Sequence, residues 1–172
     1  LDRAAADAVL FTEYYAGSGY GYRNDYNRWL EISNRGSSAV DLSQYQLALR
    51  DWESGVRTPS KDVIVTLSGT LAAGASFVMY SNRLNATTFS SIKTIASPDI
   101  LASDSSYNNI LGFDGDDGFQ LLRDGSVLDC IGPNGGLGAD YCWGKEKRML
   151  RKNTVTPSST WDEKEWVAYA IG

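Results

Sequence analysis

Apolar residues recur at every second position in segment after segment of this chain, the mark of strands that bury one face. "AVLFTEYY" (8–15) is rich in β-branched and aromatic residues. "NRWLEISN" (27–34) sets Leu30 and Ile32 on one face and Trp29, Glu31 and Ser33 on the other. "YQLALRD" (45–51) does the same with Tyr45, Leu47 and Leu49, while "DVIVTL" (62–67) and "SFVMYS" (76–81) are short apolar runs bounded by Gly and Ser. In "GFQLLRDGSVLDCIG" (118–132) two apolar segments flank Asp124-Gly125, a dipeptide suited to a tight hairpin turn because Gly tolerates positive φ. "KRMLRK" (147–152) and "KEWVAYA" (164–170) complete the set.

No segment keeps an apolar face at helical period for three turns. "TWDE" (160–163) resembles a capping box, but the residues after it leave room for one helical turn at most. About eight or nine short strands separated by turn signals predict an all-β fold, an immunoglobulin-like antiparallel β-sandwich. "RDWESGVRTPSKD" (50–62) and "NRLNATTFSSIKTIASPDILASDSSYNN" (82–109) resist the pattern and are expected to be long loop insertions. A chain of 172 residues is expected to form a single domain, 1–172, with a core from about 9 to 169. It starts with Leu rather than Met, as expected of a processed chain.

Composition narrows the chemistry. The chain has no histidine, which excludes Ser-His-Asp and Cys-His catalysis and His-ligated zinc within it. A net charge of −5 argues against general nucleic-acid binding, though it leaves room for a local basic patch. No apolar run is long enough to span a membrane as a helix. Cys130 and Cys142 flank the Gly-rich "IGPNGGLGADY", where a disulfide would stabilise by roughly 3 kcal/mol. The other reading is two buried thiols. The Ser, Gly, Asn and Tyr richness favours an extracellular setting and the bridge.

Several motifs then stand in one order: "LFTEYYAGSG", "NRWLEISNRGSSAVDLSQYQLAL", "VTLSGTLAAGASFVMYS", "ILGFDGDDGFQLLRDGSVLDCIG", and last "RMLRK" with "EWVAY". This order, from about Val9 to Tyr169, resembles the lamin-tail domain in its bacterial form. The resemblance implies an immunoglobulin-like sandwich. It further implies a module of secreted or cell-surface proteins, often beside extracellular nuclease or phosphatase domains; its animal relatives bind protein partners and chromatin. It implies no catalysis. The "GYGYRNDY" loop and the 82–109 stretch are longer than the family's usual connections, so features particular to this protein are expected there.

Four sets of residues carry candidate chemistry. Tyr20, Tyr22 and Tyr26, with Trp29, offer flat amphipathic rings for a polymer or protein, or else cover one end of the sandwich. "DGDDG" (114–118) brings Asp114, Asp116 and Asp117 together as calcium candidates, but Gly118 stands where an EF-hand needs a ligand. Glu13, Glu31 and Asp116 can converge across neighbouring strands, as a carboxylate-only hydrolase would need, or simply pair with backbone and Arg28. "KEKRMLRK" (145–152) holds five of the 16 basic residues. There Lys147, Arg148 and Arg151 form either a phosphate-binding edge or a charged edge strand guarded against aggregation. "SSIK" (90–93) and "NAT" (85–87) match motifs by chance spacing alone.

The expectation is therefore a non-catalytic binding or adhesion module, secreted or on the cell surface, without cofactor unless calcium binds. Its partner would be a protein or cell-surface polymer. The alternatives are a nucleic-acid-binding accessory domain of an extracellular nuclease and a carboxylate-only hydrolase.

Overall fold

The alternating segments do pair as strands. The computed structural model describes residues 8–17, 28–50, 52–53, 56–57, 62–80, 110–111, 113, 115–133 and 143–171. In chain order the strands are β1 (Val9–Ala16), β2 (Arg28–Asn34), β3 (Val40–Asp41), β4 (Tyr45–Arg50), β5 (Trp52–Glu53), β6 (Val56–Arg57), β7 (Val63–Thr66), β8 (Thr70–Leu71), β9 (Ser76–Tyr80), β10 (Gly118–Arg123), β11 (Ser126–Ile131), β12 (Lys147–Arg151) and β13 (Trp166–Ala170). A five-stranded sheet runs β13-β12-β1-β2-β9 and a four-stranded sheet β11-β10-β4-β7, with the short pairs β3-β8 and β5-β6 beside them. All pairings are antiparallel. The all-β, immunoglobulin-like sandwich is as expected.

Alternation explains the core. Phe11, Tyr14, Leu30, Ile32, Phe77, Met79 and Met149 of the larger sheet meet Tyr45, Leu47, Leu49, Val65, Phe119, Leu121 and Ile131 of the smaller, all buried in one cluster. Tyr14 sits at its aromatic end, 5.2 Å from the rings of both Phe113 and Trp143. Backbone close approach explains one glycine there. Gly132 has φ +101°, and a Cβ on it would lie 2.8 Å from the Trp143 ring. At the β10–β11 turn both Asp124 (φ 50°) and Gly125 (φ 77°) adopt left-handed backbone, as a two-residue hairpin turn requires.

Local polar chemistry sets the corners. Asp41 caps the 3-10 turn Leu42–Gln44 by accepting the Ser43 amide. Buried Asn34 ends β2: its side chain donates to Ser38 O and Leu71 O and accepts from the Gly36 amide. The turn expected near 160–163 forms two residues later, as a 3-10 turn over Glu163–Glu165 capped by Asp162 rather than Thr160. The stretch 50–62, expected to be loop, contains the paired β5 and β6. Two-residue strands are too short for periodicity to reveal.

Candidate functional site

The outward positions of the larger sheet form two rows across all five strands. Pairing register places Tyr169, Arg148, Tyr15, Trp29 and Tyr80 side by side. The next row is Val167, Leu150, Glu13, Glu31 and Val78. The rows grade in exposure. Trp29, Val78 and Tyr80 are buried with Tyr15, whose ring stacks on Trp29 at 3.7 Å. Val167 is 40% and Tyr169 50% exposed at the other side.

Carboxylates in the second row are held by their neighbours. Glu13 Oε1 accepts from Trp29 Nε1 at 3.1 Å and from Arg148 Nε at 2.8 Å. That hydrogen bond is the chief reason the Arg148 guanidinium titrates above its usual range. Glu31 Oε1 accepts from the Thr12 hydroxyl at 2.5 Å, and Ser33 Oγ lies 2.7 Å from Thr12 Oγ1 and 2.8 Å from Ser76 Oγ. Thr12 reaches this network because a β-bulge between Phe11 and Glu13 adds one residue to β1.

A groove of about 480 Å³ runs alongside the second row, lined among others by Thr12, Glu31, Arg35, Lys152, Val167 and Tyr169. Arg35 is fixed there by donating to Lys152 O at 3.0 Å and Val155 O at 3.1 Å. Burial, then the nearby Arg151, lowers its pKa. The groove thus joins exposed apolar side chains to a held carboxylate and a held guanidinium, the mix that orients a ligand on an apolar surface.

The candidates from the sequence separate on this scaffold. Trp29 is buried and its indole N–H is used by Glu13, so its ring is part of the sheet's packing. The three basic residues do not make a patch. Their strand β12 lies between β1 and β13 and is not an edge, because β13 adds beyond it. Arg148 faces outward, paired with Glu13. Lys147 donates to Trp143 O, and Arg151 is enclosed, bonded to Asp129 and to Glu165 Oε2 at 2.6 Å. Arg151 alternates with Met149 onto the core side, which the sequence could not distinguish from an exposed side.

Glu13 and Glu31 stand opposite one another on β1 and β2. Asp116 and Asp117 are buried in the approach to β10. Among the described residues no three Asp, Glu, Cys or His side chains gather as a metal set. Cys130 is a free, buried thiol opposite Gln120 on the face of the smaller sheet turned from the core. Cys142, the partner expected for a bridge, lies outside the described residues, as do Tyr20, Tyr22, Tyr26, Asp114 and the 82–109 stretch. Desolvation pushes the Cys130 thiol up to about 12, with the Asp129 charge adding to it.

Sequence reasoning missed Tyr15, Tyr80, Arg35, Lys152, Val167 and Tyr169 as members of one surface. Each lies in or beside a segment of readable alternation, yet only strand order and register bring them together.

Among the described residues no helix is long and apolar enough to cross a membrane. No curated protein matches the chain at a significant level. A family model described as the Lamin Tail Domain matches residues 2–135. That family is an immunoglobulin-like, non-catalytic module, generally used for binding and interaction. The match stops before β12 and β13, which nevertheless extend the same sheet, β12 pairing with β1 and β13 with β12. The chain belongs to the lamin tail domain family.

Proposed function

We propose that this chain is a non-catalytic binding or anchoring module of a secreted or surface-attached bacterial protein, and that it holds a protein partner or a cell-surface polymer in the groove beside Tyr169. The observation that carries this reading is the groove itself, where exposed Tyr169 and Val167 adjoin Glu31 and Arg35 held by hydrogen bonds. Preorganised polar groups beside an apolar ring lose little entropy on binding. The non-catalytic reading draws on the absence of histidine and on the engagement of Glu13 and Glu31 with their neighbours. It requires no cofactor.

The test is co-sedimentation of dilute protein with purified peptidoglycan, alongside capture of partners from a surface-protein extract and a low-salt gel shift with DNA. Retention on the polymer, or on one reproducible surface protein, that drops at least about tenfold in Tyr169→Ala supports the reading. Retention unchanged in Tyr169→Ala and Val167→Ala removes the groove from it. A gel shift as strong as the polymer binding would favour the nucleic-acid accessory role instead.

A further inference from the structure

Strand β13 closes one side of the larger sheet, and no described strand covers it. Among the described strands its outer side pairs with no other. Val167, Ala168, Tyr169 and Ala170 are four consecutive exposed residues. No other edge of the two large sheets has such a run: β9 is buried after Ser76, and β7 and β11 alternate or are enclosed. Trp166–Ala170 contains no charge and no proline, the usual guards of an edge.

The direction of its backbone groups follows from two hydrogen bonds. The Lys152 amide donates to Glu165 O, and the Ile171 amide donates to Glu146 O. In an antiparallel ladder the groups facing one neighbour alternate. Residues 165, 167, 169 and 171 therefore face β12, and residues 166, 168 and 170 face the free side. The Trp166 amide is taken by Glu163 O. The free side thus presents the donors of Ala168 and Ala170 and the acceptors of Trp166, Ala168 and Ala170.

We propose that β13 pairs with β13 of a second copy of this chain, antiparallel about a twofold axis at Ala168, to give one sheet continuous across both copies. The pattern of groups is self-complementary about that point. Ala168 of each copy donates to Ala168 of the other, and the Ala170 amide of each meets the Trp166 carbonyl of the other, about four bonds in all. Because Glu163 O holds the Trp166 N–H, the Ala170 carbonyl opposite it stays with water, and the count is four bonds rather than six. On the outer face the same register sets Val167 against Tyr169 of the second copy, twice. These are the side chains left 40% and 50% exposed, and they fall at non-hydrogen-bonded positions, where cross-strand side chains approach most closely. With no charge in the strand, no like charges oppose each other. So narrow an interface belongs to the weak class, roughly tens of micromolar or weaker. The inference rests on the backbone of β13 and stands whether or not the groove binds a polymer.

Sedimentation velocity from about one micromolar to about half a millimolar tests it. The expected result is a monomer at the low end that becomes a dimer on concentration. Ala168→Pro removes a donor that faces the free side and none that binds β12, so the fold persists and association weakens at least about tenfold. Tyr169→Lys, which places a charge at the contact without touching the backbone, should do the same. Amide exchange at Ala168 and Ala170 should slow as protein concentration rises. A chain that remains monomeric at half a millimolar overturns the proposal, as does dimerisation that survives both substitutions. Polymer retention measured in dilute Ala168→Pro separates the two functions, because that variant keeps every groove side chain.

Discussion

The backbone amide of Phe11 donates to Asp129 Oδ2 at 2.8 Å, joining positions 118 residues apart. Asp129 is fully buried on β11 and also accepts from the Ser158 amide at 2.9 Å and from Arg151 at 3.4 Å. One carboxylate thus ties β1 of the larger sheet to β11 of the smaller and to the chain that follows β12. The amide it takes lies at the β-bulge of β1, where the regular ladder is interrupted.

That carboxylate makes stability depend on pH. Burial outweighs Arg151 and the amide donors and raises the Asp129 pKa from 3.8 to about 6. Between those values the folded chain keeps a proton that the unfolded chain has lost. The stability from this group is therefore full below pH 3.8 and is lost as pH rises through about 6. The stability of wild type relative to Asp129→Asn should fall by about 2 kcal/mol from pH 4 to pH 7 in urea titrations. A relative stability that instead grows with pH would mean that the Arg151 pairing dominates burial.

Trp29 serves the fold. Its ring stacks on Tyr15 and its N–H satisfies Glu13, so Trp29→Ala removes both contacts. Denaturant unfolding should show a loss of about 3–5 kcal/mol. A loss under about 1 kcal/mol would return Trp29 to the list of surface rings free to bind.

Two glycines with similar backbone should respond differently to the same change. Gly69 has φ +91° and open space around it, while Gly132 has φ +101° and faces Trp143. Gly69→Ala should cost about 1–2 kcal/mol, the penalty of left-handed backbone. Gly132→Ala should cost about 1–3 kcal/mol beyond that, because a ring must move. Equal thermal shifts for the two variants would contradict the close approach of Trp143.

Cys130 should be inert in the folded protein. Its thiol is enclosed and pushed up to about 12, so almost none is thiolate at neutral pH. Alkylation of Cys130, followed by peptide mass, should proceed only as fast as the protein unfolds. Rapid labelling of native protein would refute the enclosure, and an intact mass short by two hydrogens would show the bridge to Cys142.

Much of the surface chemistry was not legible in advance, and the basic segment shows why. Alternation correctly separates Lys147, Met149 and Arg151 from Arg148, but does not say which set faces inward. Met149 and Arg151 are buried, and Arg151 satisfies Asp129, a residue with no sequence signal of its own. The acidic pair behaves similarly. Glu13 and Glu31 are expected on adjacent strands, yet the bonds from Trp29, Arg148 and Thr12 that occupy them depend on a bulge and on the placement of β12.

What the residues determined by themselves is local: strand alternation, the Asp124-Gly125 turn, the order of motifs that marks the family, and the exclusion of histidine chemistry. Each depends on near neighbours in sequence, through side-chain period, permitted φ or residue identity. What only the tertiary structure decided is which strands lie side by side and in what register. That choice set Tyr169, Arg148, Tyr15, Trp29 and Tyr80 in one row, sent Arg151 into the core, and left β13 at the edge of the sheet among the described strands. Pairing between distant strands is settled by the joint burial of two sheets, an energy that no single segment carries.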